Sequence, residues 1–452
     1  MQKNAILELE ITDMDCEGLG IAHIDEYTVF VRNALKGEVV KARVEKAGKK
    51  ILFAKAIHHL KYSPERITPP CPYYAKCGGC NMMHMTYEEE LKVKRNAFEN
   101  TISKMVKNPP ITRVIGSDCV YNYRNKIQLP VGYEDDHFVV GFYQERSHNI
   151  IKSDSCLIEN ENARTIINEV LELLDESNIY PYIEENHIGD LRHLVLRVNS
   201  KNEFMLIMVV KENKPKITKF IQQLKSPLLK SVYINVNPNK TNVILGKEFI
   251  HVKGDEFIEE ELFGNKFIIH PNSFFQVNYK QMLKLYQTAI DLLNPKKDET
   301  VIDAYSGIGT ITLSLAKHVK KVYGIEVVSE AIDNANENKK RNKITNAEFI
   351  LGKCEDEIME LVKKDKIDAI MMDPPRKGSD KNFLDTVINA KINKIVYISC
   401  GPAALARDLA YLTENGYELK EIVLVDMFSR TTNIETVCCL QKVENRDVNK
   451  KN

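Results

Sequence analysis

The feature that most constrains this chain begins near Thr300, where short apolar segments alternate with amphipathic helical stretches. TVIDAY, KVYGIEVV, AEFILG, DAIMMD, KIVYIS and KEIVLVDM each have strand length and apolar texture, and a late ETVCCLQK follows. Near-continuous apolar strands are buried on both faces, so the segment must fold as a parallel sheet whose crossover helices cover it. Ligands of such open sheets bind beyond the carboxyl ends of the strands. Chemistry is therefore sought where these strands end.

The first strand ends in Asp303-Ala-Tyr-Ser-Gly307-Ile-Gly309-Thr310, after which a helix begins. Glycines at such a turn let a cofactor approach the backbone. The third glycine of the dinucleotide fingerprint is missing, with Thr310 and Ile311 in its place, which disfavours a nicotinamide cofactor. Glu326 closes the second strand, where a carboxylate accepts hydrogen bonds from both ribose hydroxyls of an adenosine. Together with Asp373-Pro374-Pro375 at the end of the fourth strand, these residues point to S-adenosylmethionine.

Cys400 ends KIVYIS and precedes Gly401-Pro402 and a helix expected over Ala403 to Asn415. A helix amino terminus lowers a thiol's pKa, so the position predicts an enriched thiolate. A thiolate beside a methyl donor suits one reaction in particular. Carbon 5 of uracil is a poor nucleophile until sulfur adds to carbon 6, after which carbon 5 accepts a methyl group and a base removes its proton. Glu435, opening ETVCCLQK, is the candidate base; Asp373, beside two prolines, suits orienting cofactor or uracil.

Upstream, the chain divides further, as its 452 residues require. Residues 1–58 alternate apolar and polar positions, as in Leu7, Leu9 and Ile11 against Glu8 and Glu10, and predict a short antiparallel barrel. Small barrels of this kind bind oligonucleotides. The formal net charge is zero, so nucleic-acid contact needs local clustering. Between Lys36 and Arg66 there are nine Lys or Arg against three Glu. Lys92, Lys94 and Arg95 on a following basic helix over Leu91 to Lys107, then Arg124 and Lys126, are expected to extend the phosphate-binding surface. Prolines 64, 69 and 70 mark a linker, and residues 59–267 read as a mixed α+β domain with a helix near Ala163 to Glu176.

Cys71, Cys77 and Cys80, with Gly78 and Gly79 between them, have metal-site spacing that suits an iron–sulfur cluster or zinc. Acidic residues in the first fifteen positions and a longest apolar run of only Phe204 to Val210 argue for a cytoplasmic protein without a membrane span. Residues 268–444 form the cofactor domain, and the polar tail 445–452 is expected to be disordered.

HPNSFFQVN from His270, DAYSGIGT, GIEVV, DPPRKG, SCGP and NIETV together resemble the RNA uracil-5-methyltransferase family over nearly the whole chain. The resemblance implies a Rossmann-like class I S-adenosylmethionine methyltransferase domain, an α+β central domain and an amino-terminal TRAM or OB-like barrel. It implies that Gln276, Tyr305, Glu326 and Asp373 contact the cofactor, that Cys400 is the nucleophile and that Glu435 is the base. It adds Cys156 to Cys71, Cys77 and Cys80 as ligands of a [4Fe-4S] cluster, with zinc as the alternative. The implied substrate is RNA, with large-subunit (23S) rRNA favoured over tRNA because of the barrel, and no obligate protein partner is implied. An amino methyltransferase and a non-catalytic RNA-binding protein are the competing classes. One position departs from the family pattern: Gly401 stands where Asn is usual.

Overall fold

The computed structural model describes residues 1–144 and 147–443; the expected tail at 445–452 lies outside the described residues. Alternation at the amino terminus produces six strands: β1 (Ile6–Glu10), β2 (Asp13–Met14), β3 (Gly20–Ile24), β4 (Tyr27–Arg32), β5 (Val39–Ala47) and β6 (Ile51–Lys61). Their order is β1-β5-β6-β4-β3-β2. Leu9, Val29, Val31, Val40, Ala42, Val44, Leu52 and Ala54 fill the interior, which is what a period of two demands when one face is buried. The last strand runs to Lys61, three residues past the expected edge of the barrel.

A linker leads to α1 (Tyr87–Ile102), capped by Thr86, whose Oγ1 accepts from the Glu89 amide, with Glu88, Glu89 and Glu90 in the first turn favouring the helix dipole. Next comes β7 (Ile111–Ile115). The middle sheet contains β8 (Lys126–Glu134), β9 (His137–Tyr143), β10 (Ile150–Lys152), β11 (Leu191–Val198), β12 (Phe204–Val210), β13 (Leu229–Val236) and β14 (Glu248–Gly254), ordered β10-β9-β8-β11-β12-β13-β14. Helices α2 (Ala163–Asp175) and α3 (Pro215–Ile221) pack Ile166, Val170, Phe220 and Ile221 on it. A hairpin of β15 (Ile258–Leu262) and β16 (Asn265–Ile269) follows, then α4 (Tyr279–Leu293).

The carboxy-terminal alternation resolves into β17 (Thr300–Ala304), α5 (Thr310–Leu315), β18 (Lys321–Glu326), α6 (Ser329–Arg341), β19 (Ala347–Leu351), α7 (Cys354–Lys364), β20 (Ala369–Met372), α8 (Lys381–Asn389), β21 (Lys394–Ser399), α9 (Pro402–Glu414), β22 (Tyr417–Val425) and β23 (Glu435–Lys442). The sheet order is β19-β18-β17-β20-β21-β23-β22-β7. Strands β17 to β21 are parallel, and β23 inserts antiparallel between β21 and β22. That insertion places the start of β23 beside the carboxyl end of β21. The far edge is a borrowed strand: β7 pairs in parallel with β22, joining Ile111 to Ile422 and Ile115 to Val425.

Two predicted roles for basic residues are corrected here. Lys94 is 2 % exposed and donates to Glu90 Oε1 at 2.8 Å and Asp426 Oδ1 at 2.6 Å, so it cannot reach a phosphate. Arg430 pairs with the same Glu90 at 3.3 Å, and Tyr87 and Ser429 hydroxyls donate to Asp426. Two cations and two carboxylates thus satisfy one another inside the protein, the condition under which buried charge is tolerated. Arg66 is spent likewise, with Nε 2.5 Å from Oε1 of the buried Glu38. A count of charges along the sequence cannot distinguish these from solvated cations.

The loop between β22 and β23 is a junction. Arg430 carbonyl oxygen accepts from the amides of Asn81 and Met82, both at 3.1 Å, directly after Cys80. Tyr123 donates to Ser429 O, Asn278 to Met427 O and Gln281 to Asp426 O.

Candidate active site and cysteine cavity

The turn after β17 shows why its two glycines differ. Gly309 has φ +83°, and a Cβ there would lie 2.6 Å from Phe349 Cζ; Gly324 is pressed by the same ring at 2.7 Å. Gly309 therefore serves helix–strand packing and a left-handed turn. Gly307, at φ +53°, has nothing within 4 Å of its Cβ position and is the glycine that leaves space for close approach. Tyr305 is also left-handed, at φ 65°, which is uncommon for a bulky residue and marks a constrained turn.

Glu326 is held by this turn. Its Oε2 accepts from Gly307 N at 3.1 Å, and its Oε1 from Val327 N and Val328 N at 2.8 and 3.0 Å. The backbone thereby fixes the carboxylate at the strand end, with exposed Val327 and Val328 beside it. Asp303 is fully buried, its Oδ2 accepting from Thr312 and its Oδ1 unpartnered, and burial pushes its carboxyl up to about 7.

Cys400, Glu435 and Asp373 come together at one edge. Register pairs Ser399 with Thr436, so Glu435 at the start of β23 lies alongside Cys400 at the end of β21. Glu435 is 3 % exposed, not the surface acid that a strand-start position would ordinarily give. Burial and then the neighbouring Asp373 push its carboxyl up to about 8, against the opposing pull of Arg376. Burial alone pushes Asp373 up to about 7.

The expected low-pKa thiol is overturned. Burial, then Glu435, then Asp373 push Cys400 up to about 11, with Arg376 opposing. Position at a helix amino terminus does not outweigh desolvation plus two carboxylates. Gly401 is the residue before α9, and a Cβ added to it would stand 2.6 Å from the carbonyl oxygen of Arg376. The 374–379 loop thus packs against the Cys400 turn at Gly401. Buried Asp408 of α9 fastens that loop: its Oδ2 accepts from Ser379 N at 2.9 Å and Tyr397 OH at 2.7 Å. Arg376 entered the sequence reading only as part of DPPRKG, with no electrostatic role, and Asp408 was not singled out. A carboxylate at an apolar position of the helix AALARDLAYL was the available signal for Asp408.

Gln276 is 7 % exposed on the loop between β16 and α4. That loop is tied down from several sides. Asn125 Nδ2 donates to Gln276 O at 2.9 Å, Arg197 to Ser273 O at 2.6 Å, and Asn334 to Ser273 Oγ at 3.0 Å. Of the paired phenylalanines, Phe275 is buried and Phe274 is 72 % exposed.

Cys156, distant in sequence, joins Cys71, Cys77 and Cys80 in lining one cavity of about 330 Å³ together with Tyr74, Met83, Ile158, Arg124 and Lys126. Burial, then Cys156, Cys77 and Cys71, push the Cys80 thiol up to about 12. Among the described residues no three His, Cys, Asp or Glu side chains converge on a single ion position. Four thiols on one cavity wall are the donor chemistry that an iron–sulfur cluster or zinc would need. Burial, then the charges of Arg197 and Arg124, pull the Lys126 ammonium down to about 8. Arg124 and Lys126 therefore belong to this cavity wall.

A doubly wound sheet ordered in this way, with a glycine turn and acidic strand ends, defines a class I S-adenosylmethionine-dependent methyltransferase. Residues 86–443 match the tRNA (uracil-5-)-methyltransferase family model and residues 2–57 match the TRAM domain, so the chain belongs to the RNA uracil-5-methyltransferase family. It is 42 % identical over 445 residues to an uncharacterized RNA methyltransferase of Listeria innocua, covering 97 % of this chain and 98 % of the relative. It is 41 % identical over 453 residues to one of Clostridium acetobutylicum, covering 98 % of each. The tRNA (uracil-54, C5)-methyltransferase of Pyrococcus abyssi, solved with S-adenosyl-L-homocysteine, superposes with a TM-score of 0.78 at 29 % identity, covering 96 % of this chain and 99 % of that one. Among the described residues no helix is long and apolar enough to cross a membrane.

Proposed function

We propose that this enzyme methylates carbon 5 of a uridine in 23S rRNA through a covalent adduct between Cys400 and carbon 6. The observation that carries the reading is the convergence of the Cys400 thiol with buried Glu435 on one sheet edge. S-adenosylmethionine supplies the methyl group, and Gln276, Tyr305, Glu326 and Asp373 hold it. Cys400 loses its proton to solvent and its Sγ adds to carbon 6, which pushes the ring's double-bond pair into an enolate; once carbon 5 has taken the methyl group, with S-adenosylhomocysteine as the leaving group, the Glu435 carboxylate takes the carbon 5 proton and the restored double bond expels Sγ.

Both groups must ionise for this sequence, yet burial holds both toward the protonated form, helped by Glu435 and Asp373 at the thiol and by Asp373 at Glu435. Arg376, which favours the charged form of each, is the chain's own counterweight. The target base leaves its stack to reach the thiol, so loops and bulges are preferred over duplex. Exposed lysines of the barrel engage phosphates. The four-cysteine cavity holds a [4Fe-4S] cluster that braces the loop leading to Glu435, since Asn81 and Met82 follow Cys80 directly and bind Arg430.

Transfer RNA is the second reading. The P. abyssi enzyme acts on uracil 54 of tRNA and aligns with 96 % of this chain, so overall architecture does not separate the two substrates. Mapping 5-methyluridine in rRNA and tRNA from cells with and without the gene decides between them: loss from 23S rRNA supports the proposal, and loss from tRNA alone refutes the rRNA assignment.

A further inference from the structure

The base proposed above has no anchor of its own. Glu435 opens β23, and among the described residues its carboxyl receives no hydrogen bond, so its aim is inherited from the backbone that enters the strand. That backbone is the loop of residues 426–434, between Val425 and Glu435. At its centre stands Arg430, left-handed at φ 68°, a conformation uncommon outside glycine and held here by its surroundings. Segments outside the catalytic sheet supply that constraint. Glu90 of α1 accepts from the Arg430 amide at 2.7 Å and from Nη1 at 3.3 Å, and Met85 O accepts from the same Nη1 at 3.3 Å. The amides of Asn81 and Met82 donate to the Arg430 carbonyl, and the guanidinium lies over the rings of Tyr121 and Tyr87, at 5.2 and 5.5 Å. Lys94 joins Glu90 to Asp426 at the start of the loop.

Cys400 is held by different means. Its turn leans on α9 and the 374–379 loop, with Ser399 Oγ accepting from Gly401 N at 3.1 Å and Asp408 accepting from Ser379 N. Strands β21 and β23 are paired, yet the turns that aim the two side chains are anchored separately, the thiol from within the catalytic domain and the carboxyl from outside it. We infer that Arg430 is a positioning residue for Glu435: it couples the arrangement of α1 and the 81–85 segment to removal of the carbon 5 proton, and leaves addition of Sγ to carbon 6 untouched. The inference rests on the covalent reading above. With Glu435 displaced, Sγ still adds to carbon 6 and carbon 5 still takes the methyl group, releasing S-adenosylhomocysteine, but the carbon 5 proton has no acceptor within reach and the carbon–sulfur bond persists. A misplaced base therefore leaves a methylated protein–RNA adduct rather than an inert enzyme. An Arg430 that served only the fold would reduce both halves of the reaction together.

The test uses the full chain, S-adenosylmethionine, and total RNA from cells lacking the gene, either ordinary or with 5-fluorouridine incorporated. Fluorine cannot leave as a proton, so fluorinated RNA reports adduct formation without the base, whereas 5-methyluridine in ordinary RNA reports the whole cycle. Arg430→Gln should lower turnover on ordinary RNA roughly 100-fold, the cost of a ~1 Å misplacement, and leave methylated adduct on denaturing gels, while trapping of fluorinated RNA stays within about twofold of the parent. Glu90→Gln loosens the same clamp without opening a cavity and should show the same split to a smaller degree. Arg430→Lys restores the cation opposite Glu90 and should recover most of the turnover. Arg430→Gly suits a left-handed backbone and keeps the carbonyl that Asn81 and Met82 bind, so parent-like turnover in it would assign the positioning to the backbone and overturn the role of the side chain. Equal loss of trapping and turnover in both Arg430→Gln and Glu90→Gln also overturns it. No trapped adduct with the parent enzyme would refute the Cys400 reading itself, and the inference with it.

Discussion

Replacing Glu435 by Gln should make Cys400 more reactive in the cofactor-free enzyme, although it removes the proposed base. The thiol is raised to about 11 by burial and then by the Glu435 charge. At pH 9 a carboxyl titrating at about 8 is roughly nine-tenths ionised, so the substitution removes a real negative charge. A carboxylate in contact shifts a neighbour by about one unit or more, which raises the thiolate fraction at pH 9 from ~1 % to ~10 %. Intrinsic nucleophilicity falls about threefold per unit, leaving a net acceleration of roughly three- to fourfold. Iodoacetamide alkylation, read at the Cys400 peptide by mass spectrometry, measures it. Arg376→Gln removes the opposing cation and should slow alkylation. The Glu435→Gln advantage should shrink as pH falls through 8, where the native carboxyl takes up its proton. Unchanged or slower alkylation in Glu435→Gln, with the fold intact, would refute the claim that these groups share one electrostatic site.

Other outcomes follow from the same geometry. RNA carrying 5-fluorouridine at the target should trap a covalent adduct that Cys400→Ala abolishes, checked by denaturing gel. Because Glu435 is raised from 4.5 to about 8, its folded-state proton stabilises the protein fully below pH ~4.5, and that contribution is lost as pH rises to about 8; thermal melts should therefore show Glu435→Gln gaining stability over the parent at pH 8 and above. Lys94→Met leaves Glu90 and Asp426 buried with one cation fewer and should cost about 3–5 kcal/mol by denaturant titration. Gly401→Ala forces a Cβ against Arg376 O and should cost about 1–3 kcal/mol in the same assay. Anaerobically purified protein should contain iron and show broad visible absorbance, both lost when Cys71, Cys77, Cys80 and Cys156 are all changed to Ser.

The parallel sheet was legible because burial on both faces writes itself as apolar runs, and the strand ends singled out Glu326, Asp373 and Cys400 as candidates without knowledge of any contact. The barrel was legible through its alternation. What sequence could not supply were quantities set by neighbours from distant segments. The Cys400 thiol is high because it is buried and Glu435 and Asp373 face it, not low because α9 follows. Lys94 and Arg66 look like surface cations until Asp426 and Glu38 are seen beside them. The two glycines of the turn are indistinguishable in sequence, yet Phe349 claims one and open space the other.

The strand β7 has a consequence for synthesis. Thr112 and Ile422, bonded across the sheet edge, lie 310 positions apart. At about 5–20 residues per second, the ribosome takes roughly 15–60 s to deliver the partner of β7 after β7 itself has emerged. During that interval β7 is an unpaired edge, the kind of segment that seeks pairing with other chains. A ribosome stalled before β22 would therefore hold a nascent chain whose catalytic sheet can neither close nor shield its edge.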